Sequence, residues 1–440
     1  MRFGLTLALI GGVAPVCAQD LLQIWQMALQ RDPIYAASRA GRNADQEKIP
    51  QARAQLLPYI SADAVAEVED TRRLRGLNDN NSNRRALWAL TLVQPIVNIG
   101  AWGALERAGY IAKSADVVQE AAYQDLVLRV AQAYFDVLAA QDTIRALQAE
   151  KSAIQTQLRA AQQGFELGSI TIADTYEAQA RLDLINAGEL RAQNVLQVSQ
   201  DLLAKIINER PSQLAELAPD TVLPGPVPNR LSDWTTQSSY ANLAVAQAEL
   251  TAKIIEKQID IAKSQHYPTV SLRAQTGSAS DNGLYNTGNG PSGPRSLDST
   301  VGIQLSIPIF TGGEISSVVR EEASRLQQAR YQLEEAKRQA VQSTQQHYSG
   351  VTSGIAQINA LQAAEKSSLA SLNANQIGYE VGVRISIDVL NAQQQLYETQ
   401  RNLSRTRYDT LMSSLKLKAS SGILTDQDIV AINQLLTEKR

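Results

Sequence analysis

Several residue types are scarce in this chain, and each shortage excludes something. Cysteine occurs once, at Cys17. A lone thiol forms neither an internal disulfide nor a thiolate metal cluster. Histidine occurs twice, at His266 and His347, and neither stands in a metal-ligand spacing. Aromatic residues are only 5% of 440. Alanine, glutamine and leucine are abundant instead, which favours long helices with small side chains at their contacts. The net charge of −3 gives a nucleic-acid partner no electrostatic support. No stretch after the N-terminus has 18 uninterrupted apolar residues, so no membrane-spanning helix is expected. A β-barrel remains open to such a chain. Neither a nucleophile elbow nor a phosphate-binding glycine loop is present. The sequence therefore reads as a non-enzyme without catalytic residues, metal or cofactor.

Residues 1–18 read as a secretory signal, with Arg2 as the charged start and "FGLTLALIGGVAPV" as the apolar segment. Val16-Cys17-Ala18 fits cleavage before Gln19. Val16 is larger than the small residue that normally precedes a lipidated cysteine, which argues against acylation of Cys17.

What is present is a pattern written twice. "FELGSITIADTYEAQARL" at Phe165–Leu182 is echoed by "YEVGVRISIDVLNAQQQL" at Tyr379–Leu396, with a constant offset of 214. Pro58 and Pro268 occupy matching places, as do "LVQPIVNIG" (Leu92–Gly100) and "LSIPIFTGG" (Leu305–Gly313). The expected organisation is a first repeat at 19–216, a proline-rich linker at 217–233 and a second repeat at 234–424. A short helical segment at 425–440 closes the chain. Each repeat holds a helical approach, two strands and two long helices.

The strands show period two. Ile60, Ala62, Ala64, Ala66 and Val68 alternate with mostly polar neighbours. Val270, Leu272 and Ala274 oppose Ser271, Arg273 and Gln275, and Val301, Ile303, Leu305, Ile307 and Ile309 oppose Gln304 and Ser306. Loops rich in turn formers, Arg75–Asn83 and Gly277–Pro294, separate them. In the helices, Val130, Ala133, Val137, Ala140, Ile144, Leu147, Ile154, Leu158, Ala161 and Phe165 form a coiled-coil seam interrupted only at Lys151. Val389, Leu396, Leu403, Thr410 and Leu417 step by seven in the last long helix. Four strands cannot close a membrane barrel, whose smallest forms have about eight. Several copies must then share one, or the sheet is a soluble one, although the helices are far too long to cover two short hairpins.

The order and spacing of these parts resemble the TolC family of outer-membrane efflux and secretion channels. "LLP" at Leu56–Pro58, "AYFDVLAAQD" at Ala133–Asp142 and "GYEVGVRISIDVLNAQQQLY" at Gly378–Tyr397 carry the likeness. The resemblance implies a mainly helical homotrimer with internal duplication. Its 12-stranded β-barrel, four strands per chain, would sit in the outer membrane of a Gram-negative bacterium. A coiled-coil α-barrel would continue it into the periplasm. It implies a passive exit duct for a tripartite efflux pump or a type I secretion system, working with a periplasmic adaptor (membrane fusion) protein and an inner-membrane RND or ABC transporter. The glycine-rich loops would then be extracellular. Leu167, Gly168, Ser169, Val381, Gly382 and Val383 would be hairpin tips that meet the adaptor. Asp388 would form an acidic pore ring, with Asn391 where relatives can carry a second aspartate. Asp174, Tyr379 and Arg384 would latch the entrance. The rival reading is a periplasmic coiled-coil adaptor or scaffold without a pore, whose strands should not show lipid-facing alternation.

Overall fold

The computed structural model describes residues 19–71, 81–211, 213–218, 221–280 and 295–437. Residues 1–18 (expected to be a signal), the tips of both inter-strand loops and residues 438–440 lie outside them. In chain order the elements are α1 (Leu21–Arg31), α2 (Pro33–Gln46), α3 (Lys48–Ala54), β1 (Tyr59–Thr71), β2 (Asn81–Val97), α4 (Ile99–Glu166) and α5 (Ile172–Ile207). Then follow β3 (Glu216–Leu217), α6 (Leu231–Ala241), α7 (Leu243–Ser264), β4 (Thr269–Ser280), β5 (Arg295–Ser306), α8 (Glu314–Glu380), α9 (Ser386–Ser420), α10 (Asp426–Asn433) and β6 (Leu436–Thr437). The chain divides into two compact units. One is Met1–Arg39 with Gln119–Val245 and Ala336–Arg440; the other is Ala40–Val118 with Ala246–Glu335. Both units draw on both sequence repeats, because α4 and α8 run through the division.

The second unit carries an antiparallel sheet in the order β1-β2-β4-β5. Its register brings the period-two patterns onto a common face. Ile60, Ala62 and Ala64 stand opposite Leu92, Leu90 and Trp88. Leu92 stands opposite Ala274, and Val270, Leu272 and Ala274 stand opposite Leu305, Ile303 and Val301. Directly paired residues share a face, so all four strands expose their apolar side together. Val301, Ile303 and Leu305 remain 76%, 71% and 59% exposed. Asp63, Thr91, Arg273, Gln275 and Gln304 fall on the other face. The expected strand through Ile309 ends earlier, at Ser306, and Ile309 and Phe310 lie beyond it in irregular chain. Pro308 has no N–H to give the ladder, so pairing stops before it. Pro95 is tolerated inside β2 because the register shifts there, between Pro95 and Val97.

The first unit holds the main core. Leu21, Ile24, Trp25 and Ala28 of α1 pack on Leu126, Val130, Tyr134 and Leu138 of α4, Leu203 and Ile207 of α5, and Leu411 and Leu415 of α9. Each fully buried leucine, isoleucine or valine among them contributes about 1.5–3 kcal/mol. The expected seam of α4 is buried at Val130, Val137, Leu147, Ile154, Leu158 and Ala161. The step-of-seven positions of α9, Val389, Leu396, Leu403, Thr410 and Leu417, are all buried. Leu217, placed in the linker by sequence, belongs to β3, which pairs with β6 at Glu216–Thr437 and Leu217–Leu436. The last segment thus ends in a strand after its helix. Where α8 meets α9, an added methyl at Gly354 would come within 2.3 Å of Thr410 Oγ1. Glycine is needed there for the helices to approach this closely.

Candidate functional site at the hairpin tips

α4 and α5 form one helical hairpin and α8 and α9 another, and the two turns use the same hydrogen bonds. Gly168 donates to the Phe165 carbonyl (2.9 Å) and Ser169 to Gly164 (2.9 Å); Gly382 donates to Tyr379 (3.0 Å) and Val383 to Gly378 (2.9 Å). This is the Schellman arrangement, which needs a left-handed residue just past the helix. Gly168 and Gly382 supply it, at φ 73° and 78°. Leu167 (82% exposed), Val381 and Val383 are exposed apolar groups at the turns. Ser169 turns its hydroxyl back to the Gly164 carbonyl, at 2.9 Å.

The aspartates that follow occupy equivalent places, yet their carboxylates do different things. Asp174 is the third residue of α5 and closes a capping box with Thr171. It accepts from the Thr171 N–H at 3.2 Å and hydroxyl at 2.8 Å. At the second tip the capping position is Ile385, which has no hydroxyl, and no side-chain cap forms. Asp388 is thereby left for Arg384, 3.6 Å away at (i, i+4). The stem of Arg384 lies over Gly378, where an added Cβ would come within 2.7 Å of it; Ile170 covers Gly164 in the same way at the first tip.

The expected latch trio is not drawn together within one chain. Arg384 pairs with Asp388, Asp174 serves its own helix, and Tyr379 packs on Leu372, Val389 and Leu396. Near the tips, side-chain links between the hairpins come instead from other residues of the two echoed stretches and from Gln157. Arg181 of α5 donates to Asn391 Oδ1 at 2.9 Å and also to Gln394 Oε1, both on α9. Gln157 of α4 donates to Ser386 Oγ at 3.2 Å. Leu390 of α9 lies in a buried cluster with Ile154, Leu158 and Ala178 of the first hairpin.

Farther along the same helices, Glu150 is buried and paired with Arg401 at 2.7 Å. Burial pushes the Glu150 carboxyl above its usual range, and Arg401 opposes that shift. Among the described residues no cluster of three or more metal-ligating side chains exists. No described helix is long and apolar enough to cross a membrane.

The family described as "Outer membrane efflux protein" matches residues 24–209 and 236–423. The chain is 34% identical over 429 residues to "Outer membrane protein TolC" of Escherichia coli (strain K12), covering 96% of this chain and 86% of that one. It is 28% identical to "Proteases secretion protein PrtF" of Dickeya chrysanthemi, covering 97% and 92%. Among solved structures, the outer membrane protein VceC of Vibrio cholerae superimposes with a TM-score of 0.76 at 20% identity, over 91% of this chain and 96% of that one. By the extent of these matches, this chain belongs to the outer membrane efflux protein family.

Proposed function

We propose that this chain is an outer-membrane exit duct for efflux or type I secretion, and that it works as a homotrimer. The observation that carries the reading is the sheet. Its four strands share one exposed apolar face, and its edges, β1 and β5, have no partner strand among the described residues. Lipid does not tolerate open strand edges, so β1 of one copy pairs with β5 of the next until the barrel closes. Three copies give 12 strands, an even number above the minimum of about eight. Tyr59, Trp102, Tyr267 and Phe310, all about half or more exposed, flank the strand ends; such aromatics suit a membrane–water boundary. On α5, Leu184, Val195, Val198 and Leu202 form an exposed apolar stripe. A neighbouring copy covers it.

The matching repeats are read as an internal duplication. The hairpin tips form the periplasmic entrance and receive the adaptor at Leu167, Gly168, Ser169, Val381, Gly382 and Val383, and an inner-membrane RND or ABC transporter supplies the energy. Asp388 forms an acidic ring of three, with Asn391 neutral one turn on. Arg384 reaches Asp174 across the boundary between copies when the entrance is shut, with Tyr379 supporting the second hairpin. The adaptor or scaffold reading is disfavoured by the shared apolar sheet face, which a small soluble domain would not expose.

Purified protein added to planar bilayers tests the reading. The duct predicts discrete channels of small conductance and co-purification of an adaptor from the producing cell. A soluble periplasmic pool without channel activity overturns it.

A further inference from the structure

We infer that Arg181 is the residue that fastens the two hairpins of each chain to one another at the entrance, an inference that rests on the exit-duct reading. Its guanidinium is engaged on every side. Nη2 donates to Asn391 Oδ1 at 2.9 Å, Nη1 donates to Gln394 Oε1, and Nε donates to Glu177 Oε1 at 3.2 Å. Asn391 and Gln394 are three residues apart, so they lie on one face of α9. Glu177 is one turn back on α5 and aims the fork across the gap. The Arg181 side chain is 25% exposed, so it is held while still at the rim.

Beneath this bridge the contact is apolar. Leu390 is 1% exposed and packs with Ala178, Ile154 and Leu158, with Leu182 and Ile185 beside them. Withdrawing the start of α9 from α5 therefore breaks two hydrogen bonds from one cation and wets Leu390. Within one chain, the other charged groups at the tips pair on their own side, Arg384 with Asp388 and Asp174 with Thr171, and the Arg401–Glu150 pair between the hairpins lies farther from the tip with a single acceptor. Gln157 to Ser386 adds one neutral hydrogen bond at 3.2 Å. Arg181 alone among these offers a charged donor with two acceptors on the opposite hairpin. A planar fork suits that task, and a lysine point charge does not.

Both acceptors are neutral amides, so the clasp is set for reversible opening. Asn391→Asp would turn one of its hydrogen bonds into a charge-assisted pair, roughly twice as strong. The substitution separates two roles for position 391. A residue that only lines the pore would bring cation block at unchanged gating; a residue that receives Arg181 would also hold the entrance shut longer.

The test uses the full-length protein in planar bilayers. Arg181→Ala should raise the ratio of open to closed time about tenfold, a loss of about 1.4 kcal/mol over the assembly. Arg181→Lys should fall between, and Asn391→Asp should lower the ratio below that of the unaltered protein. A second readout does not depend on conduction. Residues 19–440 contain no cysteine, so Arg181→Cys combined with Asn391→Cys should be bridged within one chain by a bifunctional thiosulfonate reagent about as long as the arginine it replaces, since the gap exceeds the reach of a direct disulfide, and the bridge should hold the channel shut until reductant is added. Unaltered gating in Arg181→Ala, or a cysteine pair that fails to link in folded protein, overturns the inference. If the unaltered protein forms no channel, the duct reading falls, and the yield of the cross-link alone decides whether the hairpins are clasped here.

Discussion

Arg384 and Asp388 sit 3.6 Å apart, one turn from each other at the start of α9. The pair forms because Ile385 cannot cap the helix and so leaves Asp388 uncommitted. The Asp388 side chain is 34% exposed and that of Arg384 58%. An ion pair so wet is worth under about 1 kcal/mol. Arg384 can thus leave Asp388 easily, either for a neighbouring copy or when a cation arrives. Asp388→Ala should abolish block of the channel by multivalent cations, measured as current against blocker concentration. Persistent block would remove Asp388 from the pore.

Arg384→Ser should leave thermal stability nearly unchanged, since the lost pair is largely solvated. It should still increase channel opening by removing the proposed contact with Asp174 of the neighbouring copy. Single-channel recording beside a thermal melt checks both, and unchanged opening would free Arg384 of any latching role.

Gly382→Ala forces a side chain into the left-handed conformation, at φ 78°. Open space surrounds the position, so no clash adds to the cost. The expected loss is about 1–2 kcal/mol per chain, confined to the tip. Faster amide exchange around residues 378–386, with little change in the main core, is the expected signature.

Gly354→Ala meets a different obstacle. The added methyl would press on Thr410, which is 3% exposed and fixed between helices. Overpacking of this kind costs about 1–3 kcal/mol. The double variant Gly354→Ala, Thr410→Ala should recover much of the loss in chemical denaturation, because the obstructing side chain is gone.

Asp32 contributes acid sensitivity to the first unit. It accepts two hydrogen bonds from Arg129, at 3.0 and 3.2 Å, and one from the Tyr35 N–H at 2.7 Å. Burial pushes its carboxyl up, but these donors outweigh burial and hold it below the usual range. A depressed folded value stabilises above the unfolded value of about 3.9. That stability is lost as pH falls through the folded value. Asp32→Asn should cost about 3 kcal/mol at neutral pH and flatten stability against pH below about 4, measured by denaturant unfolding across the acid range.

Much of this arrangement is legible in the sequence because periodicity reports on faces. The seam at Val130–Ala161 and the step-of-seven at Val389–Leu417 are buried as their spacing requires. The strand patterns need only the register to align them. The glycines at 168 and 382 announce the turns. Side-chain partnership is far less legible. Equivalent aspartates read alike in sequence, but a threonine before one and an isoleucine before the other give them different partners. The role of Arg181 is hidden because its acceptors lie 210 and 213 residues away, and no local pattern encodes that pairing. The strand end at Ser306 is hidden too, because alternation continues past Pro308, where the ladder cannot.

The central claim is that the open edges β1 and β5 meet between copies to close one barrel. The absence of cysteine from residues 19–440 makes it directly measurable. Single cysteines are introduced along β1 between 60 and 64 and along β5 between 301 and 305, and the protein is oxidised in native outer membranes. The account predicts cross-linked dimers and then trimers, with nothing larger, for facing pairs on these edges. Monomers alone, or a ladder that runs on beyond three chains, would contradict it.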